Sequence, residues 1–530
     1  MMRHKLLQQL DDPHQVWDMI VIGGGATGLG TAVDAAARGY RTLLLEQRDF
    51  ASGTSSRSSK LIHGGVRYLQ QGNLGLVQEA LRERGLLMRN APHLVHNLSF
   101  IVPLYSWWEG PFYGAGLGLY DLLAGQLGLG PSRHLDRAET MNLLPTIEPT
   151  GLRGGIIYHD GQFDDARLAI CLARTLEDLG GVPLNYLEVT ALEKSAGMIA
   201  GVSARDRETG KESRLLARVV INATGVYCDA IRRLDDPTAA DIVTPSQGIH
   251  LVLERSFLGG ESAIMVPHTD DRRVFFALPW YDRVLIGTTD TPVTSISPEP
   301  RPMAEEIDFL LTHAGRYLTR RPGKNDILSV FAGLRPLVKS GTTARTSTLP
   351  RDHTVKVSRS GLVTVTGGKW TTYRRMAEDA VDRAESVAGM PSRASVTEQL
   401  HLHGCRGTVE NGPWGVYGSD SAHVAVLSRQ EPLNDELLHP GFPYRAGQVI
   451  WSLRHEYART VEDVLARRTR ALLLDATAGM EMAPRVAQLM AAELGFGDDW
   501  RQRQIRDFVA LARGYLPQCC EVTFSKRSFI

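Results

Sequence analysis

No stretch of this sequence reaches the roughly eighteen uninterrupted apolar residues that a spanning helix requires. The first residues, MMRHKLLQQLDDPHQ, carry no apolar h-region, so they are not expected to be a secretory signal. Net charge is also missing: Lys+Arg and Asp+Glu each number 59. With no global field to draw it to nucleic acid or lipid, the chain must meet any anionic partner with local cations. Cysteine is scarce and odd in number (Cys171, Cys228, Cys405, Cys519 and Cys520), and zinc-ligand spacing is lacking. That usage points to a reduced, cytoplasmic-side protein with no metal site, and the adjacent Cys519-Cys520 pair reads as inert. Internal repeats and low-complexity tracts are absent too. What remains is a 530-residue chain, 43% hydrophobic and 22% charged, able to bury the cores of two or three soluble domains.

The first legible unit begins at WDMIVI (residues 17–22), an apolar run that reads as a buried parallel strand. A glycine turn over 23–28 follows, then an alanine-faced helix over 29–39, then a second apolar strand, RTLLLE, over 41–46. Strand, turn, helix and strand within about thirty residues form a βαβ unit. Helical text is expected over 74–90, and a further strand over 217–222 ends in NATG. Residues 246–291 alternate apolar and polar with frequent turns, as in an antiparallel sheet with one face lining a site. A strand over 361–366 ends in GGK and leads into a helix over 371–388. Residues 391–411 read as a linker, and mostly helical text follows from 422.

Gly23-x-Gly25-x-x-Gly28 supplies a tight turn, close backbone approach to a pyrophosphate, and helix–strand packing, with the helix N-terminus favouring the anion. Glu46 ends the next strand, where an acid accepts ribose hydroxyls and disfavours the 2′-phosphate of NADP. The fingerprint alone does not separate FAD from NAD. The hydroxyls and amides of GTSSRSSKLIHGG directly behind the second strand favour FAD, because they offer a second approach to a long diphosphate cofactor.

At this point a resemblance becomes specific. The segment VIGGGATGLGTAVDAAARGYRTLLLEQRDFASGTSSRSSKLIHGGVRYL resembles the opening of the FAD-dependent, quinone-linked glycerol-3-phosphate dehydrogenases. The likeness continues in order through DDARL (164–168), NATG (222–225), LIGTTD (285–290), AGLRPL (332–337) and TGGKWTTYR (366–374), spanning about residues 16–390. It implies an α/β protein: a discontinuous Rossmann-like FAD-binding domain (16–75, 151–235, 345–390), an inserted antiparallel-sheet substrate domain (76–150, 236–344) and a C-terminal helical domain (391–530). It implies oxidation of sn-glycerol 3-phosphate to dihydroxyacetone phosphate, with hydride passing to flavin N5 and electrons to membrane quinone. A peripheral place on the inner face of the cytoplasmic membrane and a homodimer follow from the same resemblance. The competing readings are an oxidase that makes peroxide and a non-catalytic flavin-binding redox module. No nucleic-acid partner is expected, and the flavin is taken as non-covalent.

The candidate residues divide by role. Arg335, on a turn stiffened by Pro336, suits bidentate capture of a phosphate or developing alkoxide, unless it pairs structurally with a carboxylate. His63 is a candidate proton acceptor or a histidine that merely positions the flavin. Arg67 is a phosphate-binding cation or a member of a buried ion pair, with Tyr68 beside it. Lys369 is placed to stabilise negative charge at the flavin N1–C2=O edge, to bind phosphate, or to sit as a surface lysine. Thr288, Thr289 and Arg351 correspond to substrate-pocket positions by the resemblance, while Asp290 caps or orients. Gly23, Gly25, Gly28, Glu46, Ser55, Ser56, Ser59, Lys60, Leu61, Gly64, Thr224, Gly225, Gly368 and Lys369 are expected at the cofactor.

Membrane contact has two candidates. One lies in and beside PFYGAGLGLYDLLAGQLGLG (111–130), where Trp107, Trp108, Phe112, Tyr113 and Tyr120 form an aromatic cluster suited to a headgroup region, or else to a core or subunit contact. The other sets Leu453, Tyr457, Val461, Val464 and Leu465 on one helical face with Arg454, Arg459, Arg467, Arg468 and Arg470 around them. That pattern fits an anionic-lipid contact or a solvated bundle helix.

Overall fold

A computed structural model describes residues 2–65, 73–267, 269, 274–339, 353–406, 412, 414–430 and 434–517. Two sheets organise it. The first runs His353–Val357, Val363–Gly367, Glu212–Asn222, Val16–Ile22, Thr42–Leu45, Val182–Leu184. Its central pairs are parallel, Met19 opposite Val219 on one side and Thr42 on the other. Strands of this kind are covered on both faces, which is why Met19, Ile20 and Val21 are wholly buried and read as a continuous apolar run. The helix Ala26–Ala37 packs Ala32, Ala35 and Ala36 inward; its Gly30 leaves room for Tyr373 of the Tyr373–Val387 helix, since a Cβ there would come within 2.7 Å of that ring. The segment read as a linker is pinned to the same helix, with Ser395 donating to the buried Asp34.

The second sheet has ten strands, built around Val243–Glu254, which pairs antiparallel with Arg283–Gly287 and Ile327–Val338. Two strands from segments expected in the FAD-binding domain join it, beside Val95–Leu104 and Arg133–Leu135. Gly154–Phe163, expected with the first sheet, pairs with Val95–Leu104 in the second. Leu61–Ile62 pairs with Gly161 and Gln162 at its edge. The polar stretch over residues 55–60 therefore bridges from one sheet to the other.

The C-terminal helices (Ala446–His455, Ala476–Leu494, Asp498–Arg513) pack on the second sheet, where Ser329 donates to the carbonyl of Leu472. Here the structure corrects the second membrane-contact expectation. Leu453, Tyr457, Val461, Val464 and Leu465 are all buried, and Arg467, Arg468 and Arg470 lie inside. Arg468 grips Asp49 at 2.6 and 2.8 Å, Arg467 reaches the same carboxylate at 2.5 Å, and Arg470 reaches Asp165 at 2.8 Å. These arginines join the helical region to the first sheet rather than facing lipid or water. Arg454 and Arg459 pair nearer the surface with Glu493 and Glu208. Among the described residues no helix is long and apolar enough to cross a membrane.

Candidate active site

The carboxyl ends of the parallel strands and the inner face of the second sheet enclose a cavity of about 670 Å³. Open α/β sheets bind ligands at such strand ends. On the first-sheet side the wall is backbone. Gly23 has φ +109°, and a Cβ there would lie 2.7 Å from the Ala223 carbonyl oxygen. Gly28 does not line the cavity; it packs the helix on the turn, where a Cβ would meet the Gly23 oxygen at 1.8 Å. Gly25 caps the Ala26–Ala37 helix without a side-chain bond, and the Ala26 amide donates to Ser55 Oγ at 2.9 Å. That cradle admits a diphosphate against the helix start. Glu46 lines the cavity and accepts from the amides of Gly24 (2.6 Å) and Arg48 (2.8 Å), while burial above all raises its pKa. Thr224, Gly225, Gly368 and Lys369 complete this side. Gly368 has φ +67° and lies so close to Met376 that a Cβ would meet its sulfur at 2.3 Å.

On the second-sheet side the wall is side chain. Arg335 projects from Ile327–Val338 into the cavity wall and donates to the Gln247 carbonyl (3.2 Å), Thr288 Oγ1 (3.0 Å) and the Thr289 carbonyl (2.9 Å). Asp290 lies 3.7 Å from it. Room for the guanidinium exists because residue 248 is glycine: a Cβ there would fall 2.2 Å from Arg335 Nη2. Thr288 is absent from the wall and stands behind it, orienting the arginine. Thr289 is buried and donates to Glu306 at 2.9 Å.

The bridging stretch splits residue by residue. Ser55, Ser59, Leu61 and His63 line the cavity, with the His63 amide donating to Thr371 Oγ1 at 3.3 Å. Ser56, Lys60 and Gly64 do not, against expectation. Ser56 is buried, and its carbonyl accepts from Lys60 Nζ (2.8 Å) and Arg470. Lys60 turns fully inward to Asp165 at 2.7 Å, because a buried ammonium needs its counter-charge close by. Gly64 is lodged against Tyr120, to whose hydroxyl its amide donates at 2.9 Å. Arg67, Tyr68 and Arg351 lie outside the described residues, as do Cys519 and Cys520.

Arg57 and His250 are among the cavity residues that the sequence reading did not name. Arg57 lines the wall and pairs with Glu299 at 2.5 Å; the only sign of it was a cation within the serine run. His250 stands in the middle of the alternating strand SQGIHLVLE, faces the cavity and is 3% exposed. Burial first, then Lys60 and Arg335, hold its pKa well below the ordinary imidazole value.

A family model described as FAD dependent oxidoreductase matches residues 18–374, and one described as C-terminal domain of alpha-glycerophosphate oxidase matches residues 395–501. The mitochondrial glycerol-3-phosphate dehydrogenase of Homo sapiens is 38% identical over 546 residues, covering 96% of this chain and 75% of its own. That of Arabidopsis thaliana is 40% identical over 532 residues, covering 92% and 84%. A glycerol-3-phosphate dehydrogenase from Bacillus halodurans, solved in complex with FAD, matches at TM-score 0.79 and 28% identity over 98% of this chain and 99% of that one. The fold alone is shared with an L-alpha-glycerophosphate oxidase from Mycoplasma pneumoniae, at TM-score 0.56 and 19% identity over 70% of this chain and 95% of that one. The glycine cradle, the helix start capped only by Gly25 and the cavity of about 670 Å³ suit FAD. This chain therefore belongs to the FAD-dependent glycerol-3-phosphate dehydrogenases, with FAD as its cofactor.

Proposed function

We propose that this protein oxidises sn-glycerol 3-phosphate to dihydroxyacetone phosphate and passes the electrons to membrane quinone. The observation that carries the reading is Arg335, a cation held by three acceptors in the cavity wall and directed into the same space as Gly368 and Lys369. FAD, when bound, would supply a two-electron acceptor for the hydride. Arg335 captures the substrate's phosphate or its alkoxide and fixes the carbinol carbon in register. Lys369, at the strand end beside the glycine pair, would neutralise charge on the flavin edge. His63 and His250 are the imidazoles available in the wall to the hydroxyl proton. Arg67, Tyr68 and Arg351 belong to the same proposed substrate set.

Peripheral docking on the inner face of the cytoplasmic membrane draws support from the Glu109–Ala124 helix and the residues before it. Trp107 is 78% exposed and Leu122 76%, with Phe112 and Trp108 beside them, whereas Tyr120 faces inward. Tryptophan and bulky apolar side chains gain by entering a headgroup region.

The decisive test needs no acceptor. Adding glycerol 3-phosphate to the purified yellow protein should bleach the flavin absorbance, and a flavin that stays oxidised would sink the substrate assignment. The C-terminal match to an oxidase domain makes oxygen the second acceptor to consider. Quinone-analogue reduction without stoichiometric peroxide supports quinone, and the reverse result assigns an oxidase.

A further inference from the structure

The stretch over residues 46–61 has two faces, and the C-terminal region takes the one that the cavity does not. Within it only Asp49, Phe50, Ser56 and Lys60 stay out of the cavity wall. All four are met from behind by one short run of chain, residues 457–470. Asp49 is fully buried and accepts from Arg468 at 2.6 and 2.8 Å and from Arg467 at 2.5 Å. The Phe50 ring meets Tyr457 edge-on, with centroids 5.4 Å apart. The same ring backs the glycine turn, where a Cβ on Gly24 would lie 2.7 Å from it. The Ser56 carbonyl accepts from Arg470 at 3.0 Å, and Lys60 shares the Asp165 carboxylate with that arginine.

The cavity face of the stretch carries Ser52, Gly53, Thr54 and Ser55, which bury little apolar surface. The entropy lost in ordering it therefore has to be offset from the other face. Backbone on both sides of the seam is held in the left-handed region: Ala51 at φ +58°, Lys60 at +61°, Tyr457 at +62° and Arg470 at +66°. Residues with a Cβ keep that conformation only where surrounding contacts impose it. Those contacts cross the seam, so neither side is fixed without the other. A turn of π-helix, Asp463–Arg468, presents Arg467 and Arg468 to Asp49, and such turns recur in functional segments.

We propose that residues 457–470 are the outer half of the FAD site, so that FAD binding and docking of this C-terminal segment are one coupled equilibrium. Phe50 carries the coupling from Tyr457 to the glycine turn. Asp49 carries it from Arg467 and Arg468 to the turn that holds Glu46. Such coupling is reciprocal: the segment tightens FAD, and FAD tightens the segment to the same extent. Tyr457 and Arg468 are positioning residues that act through Phe50 and Asp49, and neither lines the cavity. The proposal rests on FAD as the cofactor and is independent of the substrate.

The test is hydrogen–deuterium exchange of the full chain, read by mass spectrometry with FAD removed and then restored. Amides of residues 457–470 should exchange about tenfold more slowly with FAD bound. Those of the helix Ser421–Gln430, which packs on Ala446–His455, should not change. Tyr457→Leu, which takes the ring away from Phe50, should speed FAD release about tenfold. Tyr457→Phe keeps the ring, loses only the hydroxyl bond to Glu177, and should release FAD at the original rate. Arg468→Lys, charged but no longer bidentate, should act in the same direction as Tyr457→Leu. A merely structural segment would lower the melting temperatures of FAD-loaded and FAD-depleted protein alike, whereas coupling narrows the gap between them in Tyr457→Leu. Equal exchange in the two forms, a change shared by Ser421–Gln430, or an unchanged release rate in Tyr457→Leu would overturn the proposal. Should that variant fail to fold, exchange in the unaltered chain still decides.

Discussion

Along the first sheet the cavity wall is made of backbone, at Gly23, Gly25, Gly225 and Gly368, whereas along the second it is made of side chains: Arg335, His250 and Ser59. At these glycines the wall has no side chain to remove, and only added atoms can spoil it. The side-chain wall depends on partners one layer back: Thr288 and Gln247 behind Arg335, Phe331 and Lys60 behind His250. A long cofactor shared by many proteins is met by shape. A small phosphorylated alcohol, on the reading proposed above, would be met by a few oriented charges.

That contrast breaks most visibly at Gly28. Gly28→Ala places a Cβ 1.8 Å from a backbone oxygen, which the turn can relieve only by moving. We expect a cost of about 3 kcal/mol or more and protein purified without flavin, read by thermal melting and the absorbance ratio. Arg335→Ala is the opposite case. It should keep its FAD and melting temperature yet lose about 100-fold in kcat/KM, the scale of lost charge-assisted hydrogen bonds. Loss of FAD in that variant would move Arg335 to a structural role. Gly248→Ala lies between the two, because its methyl group would displace the guanidinium while leaving the charge in place. A drop of about tenfold in kcat/KM with FAD retained is expected.

The smallest effect concerns the seam between the regions. His403 bridges Asp178 at 2.6 Å and Asp420 at 2.9 Å. Burial works against its charge, yet the two carboxylates push its pKa up to about 9, above its ordinary 6.5. A base with a raised folded-state pKa contributes stability that is complete below about 6.5 and lost as pH rises through about 9. The melting temperature should therefore fall across that window, and His403→Gln should flatten the slope. An unchanged slope would remove the clamp.

Much of the fold was legible because it is local. The run from WDMIVI to RTLLLE became strand, helix and strand, and residues 74–90 form one helix with Asn73 as its cap. Where the reading failed, the missing information was a distant partner. Lys60 looked like a cofactor cation until Asp165, 105 positions away, took it inward. Arg468 looked like a surface charge until Asp49, 419 positions away, buried it. His250 was one polar letter in an apolar strand, and only the sheet shows which face it occupies.

The sequence by itself determined the nucleotide cradle, since glycine spacing, strand runs and helix periodicity act within a few residues of one another. It also placed Lys369 just past a strand end, but Arg335, expected on a turn stiffened by Pro336, lies inside the continuous strand Ile327–Val338, opposite Ser246. Only the tertiary structure decided what the stretch from Ser55 to Gly64 does. Its residues alternate between cavity and core as it crosses from one sheet to the other, and each orientation depends on whether a counter-charge or a void waits there.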